Sequence, residues 1–357
     1  MKIEIKKQII ESILINTQPF LDKKDATQIT SHIYFNVEKD ICIIKATDLE
    51  IGIKIITKDI EVYELGSFTV NGKKLLDIIR ILKDEDIILE LDEQILIIKQ
   101  NRSKFKLPTF ESSQFPKFPT IEDKGQITLD SLNLIRNLKK ITPSIDNNNP
   151  KYELNGALID IKEGVTNIVG TDTKRLAVAS IYNNNDKELS IIIPKKAIVE
   201  IEKIFLEKID IFYDQKELII QNNKYFIFTK LLNGKFPDYN KIIPKEIKYN
   251  IKFPKKEMLE AIKQISIISQ DITINFTTNA VYFSSLMQNS NNVEARTQLE
   301  INLNIEEDIE LNFNSKYLID FLSQIDSNEF IIGINSKKLP FVVKDKDFIT
   351  IIMPITN

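Results

Sequence analysis

Val70-Asn71-Gly72-Lys73-Lys74-Leu75-Leu76-Asp77-Ile78-Ile79-Arg80-Ile81-Leu82 decides the fold, because the chain writes it three times. It returns as Ile193-Pro194-Lys195-Lys196-Ala197-Ile198-Val199-Glu200-Ile201-Glu202-Lys203-Ile204-Phe205 and as Phe313-Asn314-Ser315-Lys316-Tyr317-Leu318-Ile319-Asp320-Phe321-Leu322-Ser323-Gln324-Ile325. The copies start at 70, 193 and 313, offsets of 123 and 120 residues. Solenoid units run to about 20–50 residues, so a period this long makes each copy a whole domain with its own core. Three equal domains point to a geometry more than to an active site.

Other segments keep the spacing. Phe105, Leu107, Phe115 and Pro116 match Phe226, Phe228, Phe236 and Pro237 at an offset of 121, and Thr47-Asp48 matches Thr171-Asp172 at 124. Ile5, Ile10 and Leu14 match Leu129, Leu134 and Leu138, then Phe253, Met258 and Ile262, at 124 each time. The third copy lacks a clear Thr-Asp. A chain of 357 residues divides into three units of ordinary domain size, which we set at 1–124, 125–247 and 248–357, with polar, turn-forming links near 121–126 and 245–250.

Within each copy, apolar residues at three-to-four spacing mark a first helix: Ile9, Ile10, Ile13 and Leu14, then Leu134, Ile135, Leu138 and Ile141. Pro254 suits the first turn of the third equivalent, and the repeated stretch is a second helix opened by Asn71, Pro194 and Asn314. Short β-branched runs such as Ile41–Ile44, Ile51–Ile55, Ile87–Leu91 and Gln94–Ile98, bounded by Asp, Asn, Gly and Glu, read as antiparallel hairpins. Each domain is therefore α+β, two helices on an antiparallel sheet. Asn147–Pro150, Asn183–Asp186 and Gln288–Asn292 read as surface loops.

Composition excludes most chemistries. The N-terminal alternation Lys2-Ile3-Glu4-Ile5-Lys6 reads as a strand and not a signal peptide, and the apolar runs are too interrupted to span a bilayer, so no membrane partner is expected. The single cysteine, Cys42, allows no internal disulfide and fits a reducing cytoplasm. One histidine, His32, and one cysteine cannot build a His/Cys zinc site; no metal or cofactor is expected, and His32 reads as a strand surface residue. Gly72-Lys73 and Gly234-Lys235 lack the upstream glycine and the following Ser/Thr of a P-loop.

The net charge is −3, yet Lys and Arg gather on the helix segments. Lys73, Lys196 and Lys316 occupy one position of the repeat, so they project from equivalent helices. Cations that touch only phosphates bind DNA without reading its sequence, and such binding weakens with salt. A solvated helix face is the competing reading. A hydrolase built on Asp48 and Asp172 would need paired carboxylates in one cleft, whereas these are repeat equivalents in different domains. A repeat scaffold that binds only proteins is the other rival.

Thr47-Asp48-Leu49-Glu50, Tyr152-Glu153-Leu154-Asn155-Gly156, Thr171-Asp172-Thr173-Lys174-Arg175-Leu176-Ala177-Val178, Phe236-Pro237-Asp238-Tyr239 and Met353-Pro354-Ile355 together resemble the bacterial DNA polymerase III β subunit family, the replication sliding clamps, over the whole chain. The resemblance implies a non-catalytic processivity factor: a head-to-tail homodimer closing a ring of six similar domains around duplex DNA, helices inside and sheets outside. It implies Phe105 and Leu107, on a domain-one edge strand, meeting Ile267 and Ile268 of the partner's domain three; core packing is the competing role for each. The helix cations Lys73, Arg80, Arg136, Lys140, Lys196, Lys203, Lys263 and Lys316 are the DNA contacts expected from their place on the helices, and the resemblance implies two more, Lys24 and Tyr152, with Glu153 standing where an aromatic is usual.

The same resemblance implies a peptide groove between domains two and three formed by Leu154, Thr171, Arg175, Leu176, Pro237, Ile242, Pro340, Ile351, Met353, Pro354 and Ile355. Its occupants would be short hydrophobic motifs of the polymerase III catalytic subunit, the clamp loader and other clamp-binding proteins. Thr173-Lys174 stands where the family has Gly-His, Lys241 where an arginine is usual, and Thr356-Asn357 where the chain would end Arg-Leu; these departures bear on motif preference.

Overall fold

The computed structural model describes residues 1–24, 28–183, 188–286 and 294–356. They fall into two compact units, residues 1–132 with 200–231, and residues 133–199 with 232–357. Six helices of ten to twelve residues are described: α1 (Lys7–Thr17), α2 (Gly72–Ile81), α3 (Ser131–Ile141), α4 (Lys195–Ile204), α5 (Lys255–Ser266) and α6 (Ser315–Gln324). That is two per repeat, and α2, α4 and α6 are the triplicated stretch.

Their starts follow local chemistry. Asn71 Oδ1 accepts the Lys74 N–H at 3.0 Å and Asn314 Oδ1 accepts the Lys316 N–H at 3.1 Å, satisfying donors that a first turn leaves orphaned. Pro194 and Pro254 sit one position earlier than expected, each as the last residue of a strand (Leu189–Pro194 and Tyr249–Pro254). Proline has no N–H to give a ladder, so it ends the strand as the helix begins. Each helix buries one stripe: Ile10, Ile13 and Leu14 of α1 and Leu75, Leu76 and Ile79 of α2 lie in the first unit's core, where α1 and α2 pack together. Full burial of such a side chain contributes about 1.5–3 kcal/mol. Gly72 is needed for this packing, since a Cβ there would stand 2.4 Å from Leu21 Cδ1 and 2.8 Å from Ile33. The Gly72-Lys73 pair is thus a packing feature.

The first unit holds a 13-stranded antiparallel sheet and the second an 8-stranded and a 4-stranded one. The sheets run from one repeat into the next. Tyr225–Lys230 of the second copy pairs with Ile51–Thr57 of the first, Phe228 opposite Gly52. Phe348–Ile352 of the third copy pairs with Arg175–Tyr182 of the second, Ile351 opposite Leu176.

The hairpin turns refine the repeat alignment. Gln100 pairs with Ser103, and Asn222 closes on Tyr225 through its N–H to the Tyr225 carbonyl, so Ser103 corresponds to Tyr225 and Phe105 to Ile227. The Phe105–Phe226 match is therefore off by one, because one more residue separates Phe105 from Phe115 than Ile227 from Phe236.

His32 departs from expectation. It opens the strand His32–Val37 but is only 4% exposed, with its ring stacked on Phe110 at 4.2 Å and Nδ1 3.3 Å from Thr69 Oγ1. Burial lowers its pKa to about 4. The Cys42 thiol is buried too and pushed up to about 12, which leaves it a small apolar core group. Of the Asn-rich loops, Asn147 and Asn148 are exposed, their N–H groups on Asp146 Oδ1; residues 184–186 and 288–292 lie outside the described residues.

Candidate functional site

An apolar cluster forms in the second unit where the second and third copies share a sheet. Leu154, Leu176 and Ile351 are buried together with Phe236, Tyr239 and Val342, and Leu232 and Ile243 pack against them. Strand pairing sets the floor, since Leu176 and Ile351 stand opposite each other. The segment from Phe236 to Ile243 supplies a wall. Its Tyr239 is anchored by a polar chain: the hydroxyl donates to Asp160 Oδ2 at 2.7 Å and accepts from Asn167 Nδ2 at 3.0 Å, while Asn167 Oδ1 accepts from Ser180 Oγ at 2.7 Å. Burial, and then the bond to Asp160, raise the Tyr239 pKa, so the hydroxyl stays a donor.

The expected groove residues divide into two groups. Leu154, Thr171, Arg175, Leu176 and Ile351 are buried; Pro237, Ile242 and Met353 are exposed, and Pro340, Pro354 and Ile355 are half-buried. Met353, at 43% exposure, is a large apolar side chain next to the cluster, held because its N–H donates to the Lys174 carbonyl at 2.9 Å. Ile355 N–H likewise donates to Asn312 O at 2.6 Å, which ties down the C-terminal segment. Phe236, Tyr239 and Val342 belong to the cluster but were not among the expected groove residues; Phe236-Pro237-Asp238-Tyr239 was legible as a motif, and only the long-range packing gives it this role.

The repeated Thr-Asp is a turn. Thr171 Oγ1 donates to the Arg175 carbonyl at 2.6 Å and accepts the Thr173 N–H at 3.1 Å, while Asp172 Oδ1 accepts the N–H groups of Lys174 and Arg175 at 3.0 and 2.9 Å. In the first copy, Thr47 Oγ1 donates to Ile51 O at 2.9 Å and accepts from Leu49 at 2.9 Å, and Asp48 Oδ1 takes Glu50 and Ile51 at 3.0 and 2.9 Å. Each aspartate caps its own turn through backbone N–H groups, which gives the repeated Thr-Asp a structural role. Among the described residues no group of three or more His, Cys, Asp or Glu is placed to hold a metal.

Arg175 differs from its repeat equivalent, Ile51. It is 5% exposed, with Nε donating to Asp172 Oδ2 at 3.0 Å, Nη1 to Asp320 Oδ2 at 2.8 Å and Nη2 to the Pro143 carbonyl, while its guanidinium lies 4.6 Å from the Tyr317 ring centroid. Three directed bonds and an aromatic face hold the group inside the fold.

Most of the expected DNA-contacting cations are exposed on helices, Lys140 being half-buried. Lys73 and Arg80 on α2, and Lys196 and Lys203 on α4, are pairs seven residues apart, so each pair shares one side of its helix; Lys263 on α5 shares its side with Lys256, which was not among the expected contacts. Arg136 and Lys140 are one turn apart on α3, and Lys316 opens α6. Some charge is already partnered: Lys203 bonds Glu200 at 2.9 Å, Arg80 Nε is 4.0 Å from Glu11, and Lys140 stands 5.7 Å over the Phe348 ring. Lys24 is exposed, and Tyr152 is 73% exposed.

Ser103–Phe110 pairs along its length with Ile95–Gln100 but meets Gly66–Asn71 only at Thr109 and Phe110. Arg296–Glu300 pairs with Ala280–Ser285 and ends its sheet. Leu107 is buried within the chain and Phe105 half-buried, whereas Ile267 and Ile268, just after α5, are exposed, Ile267 at 82%.

Three family models match in succession: the DNA polymerase III beta subunit N-terminal domain over residues 1–119, its central domain over 128–238 and its C-terminal domain over 240–356. The beta sliding clamp of Helicobacter pylori strain J99 is 36% identical over the whole of both chains, and that of Chlamydia pneumoniae 26% identical over 99% of both. Among solved structures, the Helicobacter pylori beta clamp bound to a DNA ligase peptide covers all of both chains with a TM-score of 0.93 at 38% identity. The Pseudomonas aeruginosa subunit, at 23% identity and a TM-score of 0.89 over both full chains, shows the same fold.

Proposed function

The chain belongs to the DNA polymerase III beta subunit family, the beta sliding clamps, and from that premise we propose how its parts act. It is a non-catalytic processivity factor: a ring-shaped homodimer that encircles duplex DNA and tethers the replicative polymerase and other replication and repair proteins. We assign three clamp domains, residues 1–124, 125–247 and 248–357, and a cytoplasmic location.

One observation carries the reading of the ring. Successive copies join edge to edge, Ile51–Thr57 with Tyr225–Lys230 and Arg175–Tyr182 with Phe348–Ile352. The strands equivalent to those partners, Ser103–Phe110 and Arg296–Glu300, are left without each other's company in one chain. A second copy, head to tail, supplies both missing pairs at once and closes the cycle. Phe105, Ile267 and Ile268 then lose their exposure against the partner, with Leu107 as backing from the core.

Lys24, Lys73, Arg80, Arg136, Lys140, Tyr152, Lys196, Lys203, Lys263 and Lys316 supply sequence-blind contacts to the duplex. Such contacts are individually weak and salt-sensitive, which permits sliding, while the topological link prevents escape. A polymerase held by the ring meets the primer end at an effective concentration set by its tether, so re-association becomes intramolecular.

The partner groove lies over the Leu154, Leu176 and Ile351 floor, with Met353, Ile242 and Pro237 at the rim. Short apolar motifs from the polymerase, the clamp loader and proteins such as DNA ligase fit it as side-chain pockets. Fluorescence anisotropy with a labelled Gln-Leu-x-Leu-Phe peptide tests it. Micromolar binding, about −8 kcal/mol, is expected, weakened at least ten-fold by Met353→Ala, which removes a rim side chain and not a core one. Binding unaffected by Met353→Ala would place the peptide elsewhere.

A further inference from the structure

We infer that Arg175 and Asp320 are positioning residues of the peptide groove, a latch that holds its floor and rim in the binding-competent arrangement without touching the peptide. The inference rests on the groove reading above. The turns at 47–51 and 171–175 make the same four side-chain hydrogen bonds, yet the first ends in an apolar Ile51 and the second in Arg175. The turn itself therefore has no need of a guanidinium.

What Arg175 adds is a connection. Nε reaches Asp172 in the turn, Nη2 the Pro143 carbonyl beyond α3, and Nη1 Asp320 in the middle of α6, with Tyr317 of α6 beneath the guanidinium plane. These partners come from three separate stretches of chain, and the turn they fix carries the groove. Lys174, next in the turn, accepts the Met353 N–H, and Leu176, the residue after Arg175, faces Ile351. A displacement of the turn moves the rim methionine and the floor leucine together. With its guanidinium so engaged and its side chain buried, Arg175 is not presented to a peptide, and Asp320 acts only through it. Breaking a buried charge pair leaves a charge uncompensated, so loss of one partner shifts the turn's population away from the latched arrangement.

The kinetic consequence separates a latch from a contact. Removing a peptide contact speeds dissociation; lowering the competent fraction slows association and leaves dissociation alone. Stopped-flow anisotropy with the labelled Gln-Leu-x-Leu-Phe peptide on the full-length protein reads both rates. Asp320→Asn is expected to slow association by about five- to ten-fold with dissociation within about two-fold of wild type, and Asp320→Glu, which keeps the charge, to recover most of it. Tyr317→Leu, a milder lesion, is expected to move association in the same direction by a smaller factor and stands in should Asp320→Asn fold poorly. Met353→Ala is expected to speed dissociation instead. Wild-type rates in Asp320→Asn and Tyr317→Leu, or faster dissociation with unchanged association, overturn the latch while the Met353 result leaves the groove standing. No binding by the wild type overturns the groove reading, and the latch with it.

Discussion

Leu49 and Thr173, at equivalent places in the two Thr-Asp turns, have φ of 75° and 71°, a region that costs a β-branched residue most. Asparagine tolerates that conformation, so Thr173→Asn is expected to raise stability by about 0.5–1 kcal/mol in urea unfolding, with no change in the turn's hydrogen bonds. A loss of stability would contradict the strain argument. His32 makes a second residue-scale case. Its folded pKa, about 4, lies below the ordinary 6.5, so between those values the unfolded chain binds the proton and the folded chain refuses it. The contribution is complete above about pH 6.5 and is lost as pH falls toward 4. His32→Phe keeps a ring against Phe110, and its stability difference between pH 7 and pH 4.5 should be smaller than wild type's by about 2 kcal/mol. Equal pH dependence in the two proteins would show that His32 charges as easily folded as unfolded. Neither role was legible in the sequence beforehand. Repetition marked Thr-Asp as meaningful but not as a hydrogen-bonded turn, and nothing near His32 announces a ring that arrives from Phe110.

At the scale of elements, periodicity and capping residues announced all six helices, because a buried stripe and an N-cap are local properties. Register is different: it depends on turn geometry and on which edges meet, and the one-residue slip between Phe105 and Phe226 arose there. The ladders now allow a register to be stated for the open edges. Thr109 N–H donates to Gln94 O, so alternate residues Lys104 and Lys106 point their backbone away from the sheet; Ser285 N–H donates to Ala295 O, so Glu294 and Arg296 point outward from theirs. Transferring the Leu176–Ile351 pairing to these strands sets Lys106 opposite the partner's Glu294 and Phe105 opposite the partner's Ala295. The latter is a non-hydrogen-bonded site, where Cβ atoms approach most closely. Phe105→Cys with Ala295→Cys should therefore cross-link two chains under mild oxidation, whereas Phe105→Cys with Arg296→Cys should not. The reverse preference would mean a different register. Lys106→Pro removes an outward N–H while sparing the inner ladder, and should weaken the dimer, read by sedimentation-equilibrium ultracentrifugation, by at least ten-fold.

For the whole molecule, three copies in one chain made the domain organisation legible early, since the period measured the domain, while ring closure came from the family resemblance and not from the repeat count. The expected groove residues were marked by resemblance alone; the structure divides them into buried and exposed sets, and it holds Arg175 through Asp172, Asp320 and the Pro143 carbonyl, partners that no sequence spacing announces. Helix charge was legible as position and not as strength, because Glu200 and Glu11 already engage Lys203 and Arg80. That division sets the central claim, that retention on DNA is topological and the phosphate contacts serve sliding. The most direct measurement loads fluorescent protein onto nicked circular duplex with its clamp loader, raises the salt to about 1 M, where the screening length is near 3 Å, and then linearises the DNA. The protein is expected to stay on the circle through the salt step and to leave within moments of linearisation. Release from the intact circle on adding salt, or retention on linear DNA with free ends, would contradict it.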